Sequence, residues 1–149
     1  MALGWKLVID AADPHRQADF WADALGYELE DNSTLIERLL AGGVIGEDLV
    51  TEFAGRRFFR DAAAARHPDD PFDAESGTGL GRRLLFQRVP EAKTVKNRLH
   101  IDVHAGPGAR AATVARLEAR GARVLREVAE PQGSWTVLAD PEGNEFCVA

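Results

Sequence analysis

The chain has 149 residues, 45% of them apolar and 28% charged, which is the composition of a folded domain or of two small modules. Its net charge of −6 argues against nucleic acid as a partner, and no apolar run approaches the ~18–20 residues of a membrane span. The lone cysteine, Cys147, excludes a disulfide framework and a four-cysteine zinc site, and the start Met1–Lys6 lacks the features of a signal peptide, so a cytoplasmic protein is expected.

Trp5–Asp10 alternates, with Leu7 and Ile9 on one face and Lys6, Val8 and Asp10 on the other, as in a strand covered on one side. Asp13 then reads as a helix N-cap and Pro14 as the first helical residue. Ala18, Trp21, Ala22 and Leu25 follow at helical spacing, Gly26 ends the helix, and Tyr27–Glu30 returns as a strand. Residues 31–80 exceed what a plain repeat needs. Ser33 to Gly42-Gly43 reads as a short helix, Phe58 through Ala65 as a second helix or a strand running into one, and 67–78 as an exposed, mobile loop. This insertion is expected beside the mouth of a pocket or at a subunit contact. Arg83–Val89 closes the unit as a strand.

The same order recurs. Leu99–His104 alternates as a strand, Ala111, Val114 and Leu117 mark the inner face of a helix, and Gly121 ends it. Val124-Leu125, Trp135–Leu138 and Glu145–Val148 supply three more strands, the last two around the turn Asp140–Asn144. The second unit therefore reads βαβββ, and the best account of the first is a duplicated copy. The fold class expected is α+β, with module one at about 4–90, an insertion at about 31–80 and module two at about 97–149.

Alternation also assigns faces. Leu99, Ile101 and Val103 should meet the helix, leaving His100, Asp102 and His104 on the concave side. Phe146 and Val148 pack likewise, leaving Glu145 and Cys147 concave; on the closing strand of module one Leu85 and Gln87 take that side. So polar a face reads as a pocket wall.

Asp10-Ala11-Ala12-Asp13-Pro14, Phe20-Trp21 and Leu25-Gly26-Tyr27 resemble the opening of a glyoxalase-like domain of the vicinal oxygen chelate superfamily, which includes glyoxalases, bleomycin-resistance proteins and extradiol dioxygenases. Leu85–Pro90, Lys96–Asp102 and Asp140–Phe146 carry the resemblance over nearly the whole chain except residues 31–80. It implies one glyoxalase-like domain over 1–149, whose paired βαβββ modules curl mixed sheets around a central cavity. Carried over residue by residue, the superfamily's metal positions fall on Lys6, Gln87, His100 and Cys147, and only His100 is the residue type that the metal pattern wants. A protonated lysine repels a cation, and an unperturbed thiol is mostly protonated at neutral pH.

No cofactor is therefore expected. The first reading is a metal-independent protein that binds or acts on a small carbonyl or anionic compound. In it Lys6, His100 and Asp102 are candidate catalytic residues, and Gln87, Trp135, Glu145, Cys147 and His104 contact the ligand. The second is a lyase, isomerase or dioxygenase with a divalent metal (zinc, nickel, iron or manganese) held by His100 with Glu145 or Cys147 and Gln87. The third is a structural dimerisation module. The partners expected are a small-molecule ligand and a second copy of the chain, with neither nucleic acid nor membrane.

Overall fold

Asp13 opens the first helix by accepting the Arg16 amide at 3.2 Å, and Gly26 closes it in the left-handed conformation at φ 67°. This helix, α1 (Pro14–Leu25), buries more than the expected stripe. Pro14, His15, Gln17, Phe20 and Ala24 are buried along with Ala18, Trp21 and Ala22, while Leu25 is half-buried. The computed structural model describes all 149 residues and divides into two compact units, Met1–Pro90 and Glu91–Ala149.

In the first unit α1 packs on a mixed four-stranded sheet of β1 (Leu7–Ala11), β2 (Glu28–Leu29), β5 (Ala62–Arg66) and β6 (Arg83–Arg88) in the order β1-β6-β5-β2. Only β1 and β6 run parallel. Leu84 and Phe86 are buried, whereas Val8, Asp10 and Gln87 on the opposite face are exposed, as alternation requires.

Residues 62–65, four alanines in a row, form a strand although alanine favours helix. Ladder bonds on both edges override the propensity, and Ala63 and Ala65 share the buried face of Phe86 and Leu84. Neither alternative read for Phe58–Ala65 is realised, because no helix forms there. Instead β3 (Val50–Phe53) and β4 (Arg56–Phe59) make a hairpin around Ala54-Gly55, both at positive φ as a tight two-residue turn demands. Ahead of it α2 (Ser33–Ala41) buries Ile36 fully. The fully buried Phe58 meets the His15 ring edge-on at 5.5 Å, which ties the hairpin to α1.

The stretch 67–82 is largely exposed but is not left loose. Arg82 grips Asp70 with two bonds, Nη2 to Oδ1 at 2.7 Å and Nε to Oδ2 at 3.0 Å. The Arg66 guanidinium lies 3.9 Å from the Phe72 ring centre, and Asn32 donates to the Ser76 carbonyl at 2.6 Å. Gly77 passes so close to the Asp31 main chain that a Cβ there would collide with the carbonyl group.

The second unit repeats the pattern with β7 (Asp102–Val103), α3 (Arg110–Ala119), β8 (Arg123–Glu130), β9 (Gly133–Ala139) and β10 (Glu145–Val148), ordered β7-β10-β9-β8. First and last strands are again parallel. Val103, Val114, Leu117, Leu138, Phe146 and Val148 form its core. Two expectations fail here. The strand over Leu99–His104 contracts to two residues and Leu99 is exposed rather than packed, because β10 is only four residues long and partners no more of the incoming chain than Asp102 and Val103. Ala111 is also exposed, leaving Val114 and Leu117 to anchor α3. No helix is long and apolar enough to cross a membrane.

Candidate functional site

The open face of the second sheet brings together His100, Asp102 and Cys147. Register places Asp102 opposite Cys147, Cys147 opposite Val137 and Val137 opposite Arg126, so these four residues form one row across β7, β10, β9 and β8. His100, just before β7, brings Nε2 to 3.3 Å from Asp102 Oδ1. With its hydrogen on Nε2, facing Asp102, a neutral imidazole keeps Nδ1 as an acceptor. His100, Asp102 and Cys147 hold their donor atoms within 4.8 Å of one another. Together with Trp135 and Ala149 they line a depression of about 250 Å³.

Burial pushes the Cys147 thiol above its ordinary value, and the neighbouring Asp102 charge pushes it further; Lys96 and Arg126 act weakly in the opposite sense. The thiol is therefore a neutral, polarisable wall at physiological pH rather than a thiolate. Glu145 is occupied elsewhere. It accepts the Asn97 amide at 3.0 Å and Lys93 Nζ at 3.1 Å, which hold its carboxyl down at about 2, the Asn97 bond being the larger cause. It anchors the chain entering β7 and is not among the residues lining the depression.

Of the remaining candidates, His104 is exposed beyond the end of β7 and does not line the depression either. Lys6 and Gln87 belong to the first unit. Lys6 is exposed immediately before β1, and Gln87 lies exposed on β6 between Asp10 and Ala62 of the neighbouring strands.

Three protein donors are the number a catalytic zinc requires, but this set does not suit a resident divalent ion. One donor is a protonated thiol, Asp102 is shared between that thiol and the imidazole, and the carboxylate of the last strand is bound to Lys93 and Asn97. In the sequence Arg126 reads, with the arginines at 110, 116, 120 and 123, chiefly as part of a solvated helix face and strand rim and otherwise as part of a basic rim around a pocket for an anion, and its face is not assigned. A bulge between Val124 and Arg126 inserts Leu125 into β8 and turns Arg126 onto the open face, which simple alternation does not foretell.

The model of a family described as glyoxalase-like domain matches residues 6–149. No curated protein matches the chain significantly. Among solved structures, a glyoxalase/bleomycin resistance protein/dioxygenase family enzyme from Burkholderia phytofirmans shares 13% identity at a TM-score of 0.58, covering 96% of this chain and 94% of its own. A mutant of the fosfomycin resistance protein FosX from Listeria monocytogenes, complexed with Mn(II) and 1S,2S-dihydroxypropylphosphonic acid, shares 11% at 0.58, covering 99% and 90%. A bleomycin-binding protein from Streptomyces verticillus, complexed with copper(II)-bleomycin, shares 17% at 0.51, covering 100% and 96%. At these identities the likeness is one of fold.

Proposed function

Since the chain belongs to the glyoxalase-like domain family, we propose that it binds a small organic molecule in the depression beside Trp135, without a resident metal. The observation that carries this reading is the His100–Asp102 pair opening into that depression, 3.3 Å apart and with about half of each side chain exposed. Asp102 orients the imidazole, whose Nδ1 is left to accept a proton or a hydrogen bond from the ligand. Trp135 supplies a flat apolar wall, and Cys147 a neutral floor. Lys6 and Gln87 are the ligand contacts proposed for the open face of the first unit. This chemistry suits a small carbonyl or anionic compound, either held or altered by proton transfer at His100.

The assembly proposed is a homodimer. Large exposed apolar side chains, Trp5, Leu80, Val95 and Leu99 among them, support it, and sedimentation measures it. For the binding reading, a screen of small carbonyl and anionic compounds by imidazole NMR, with elemental analysis of the same sample, is the test. The expected result is hits that shift the His100 resonances, are lost in His100→Ala and occur in protein free of stoichiometric metal. Hits that leave His100 undisturbed, or one tightly held metal per chain, overturn it.

A further inference from the structure

Asp102, Cys147, Val137 and Arg126 run straight across four strands, and the two ends of the row differ in charge. Asp102 carries an acceptor carboxylate. Arg126, on the same face, has no carboxylate within salt-bridge distance and no side-chain hydrogen bond, whereas the strand arginines of the first unit, Arg56, Arg57, Arg66, Arg83 and Arg88, each hold a carboxylate. The Arg126 charge lies close enough to the Cys147 thiol to act weakly on it, in the sense opposite to burial and Asp102. Neighbouring strands lie ~4.8 Å apart, so the ends of the row are roughly 14 Å apart at Cα. Between them lie Cys147 and Val137, with Trp135 two residues before Val137 and therefore on the same face.

We infer that this row is a two-ended site for a small aromatic acid. Arg126, exposed on the same face but beyond the five residues that line the depression, takes the carboxylate of a ligand that extends past Val137, Asp102 accepts a hydrogen bond from a hydroxyl or amine at its far end, and Trp135 flanks the ring. The inference rests on the binding reading above and adds the ligand class and a residue that selects it. Arginine suits the role because its planar fork presents two parallel N–H groups to a carboxylate. Lys96, the other cation near Cys147, is a weaker candidate, since its Nζ already faces the Asn97 carbonyl at 3.5 Å. The bulge at Leu125 strengthens the argument, because without it Arg126 would stand on the opposite face from Cys147.

Three probes separate the two ends: 4-hydroxyphenylacetate, which has both groups; 4-hydroxyphenethyl alcohol, which lacks the carboxylate; and phenylacetate, which lacks the hydroxyl. Dissociation constants come from titrations that follow the His100 imidazole resonances and are repeated with Arg126→Ala, Asp102→Ala and Lys96→Ala. 4-Hydroxyphenylacetate should bind about fivefold or more tightly than either of the others. Arg126→Ala should erase its advantage over the alcohol while keeping that over phenylacetate. Asp102→Ala should do the reverse, and Lys96→Ala should change neither. Equal binding of acid and alcohol, or a preference indifferent to Arg126, overturns the inference while leaving the depression a binding site. If none of the three moves His100 the inference also fails, and the binding reading then stands or falls on the hits of its own broader screen.

Discussion

Arg83 holds Glu30 through two hydrogen bonds of 2.7 Å, Nε to Oε1 and Nη2 to Oε2, and the Gly79 amide adds a third to Oε1 at 2.8 Å. Glu30 is 1% exposed and Arg83 12%, so water cannot replace either partner. Glu30→Ala strands a guanidinium inside the first unit, and the cost expected for breaking such a pair is about 3–5 kcal/mol. Urea unfolding measures it. A loss below about 1 kcal/mol would mean that the pair is solvated like a surface ion pair.

Glu145 should give the protein an acid-sensitive component. Its folded-state value is lowered to about 2 from an ordinary 4.5, so its contribution is complete above 4.5 and disappears as pH falls through about 2. Glu145→Gln should therefore be less stable than the wild type at neutral pH, and the two should converge between pH 4.5 and 2. Denaturant midpoints recorded across that window check the sign; a gap that widens on acidification would refute it.

Cys147 should be a sluggish nucleophile. Burial and Asp102 both disfavour the thiolate, so alkylation by iodoacetamide should be slower than for a free thiol at pH 8 and should accelerate only at higher pH. Asp102→Asn removes the second cause, and the rate at pH 8 should rise several-fold. Rapid alkylation of the wild type at pH 7 would show that the thiol is activated.

The alanines under α1 should resist enlargement. Ala65 is fully buried opposite Leu84, on the face that the helix covers. Ala65→Leu inserts three heavy atoms where the helix rests on the sheet, at an expected cost of about 1–3 kcal/mol. Calorimetry of this variant beside one with a substitution at the exposed Ala112 separates packing from general effects.

Much of this architecture was legible because its signals are local. The Asp13 cap, Pro14 and Gly26 delimit α1 in the sequence and in the structure alike. His100, Asp102 and Cys147 were assignable to one face because strand side chains alternate. What stayed hidden depends on partners distant in sequence. The alanine run is a strand only because Glu28–Leu29 and Arg83–Gln87 bond to its two edges. Glu145 looked free until Lys93 and Asn97 folded onto it, and Arg126 changed sides through one added residue in β8. Leu99, expected inward by the same alternation, has no strand beside it to enforce the pattern.

The near-contact of Gly77 with the Asp31 main chain has a practical reach beyond the loop that contains it. Segments 46 residues apart in sequence are fitted there to within a missing methyl group, and at Gly79 a Cβ would lie 2.7 Å from that of Arg66. The two connections of the first unit therefore differ in how they accept foreign sequence. The Ala54-Gly55 hairpin tip is exposed, and nothing lies within 4 Å of the Cβ position at Gly55, so an epitope tag or a new pair of termini placed there leaves every packed surface alone. The same insertion between Ser76 and Gly77 would wedge the crossing apart. The long loop, which has the composition of a tolerant linker, is the poorer of the two places to cut the chain.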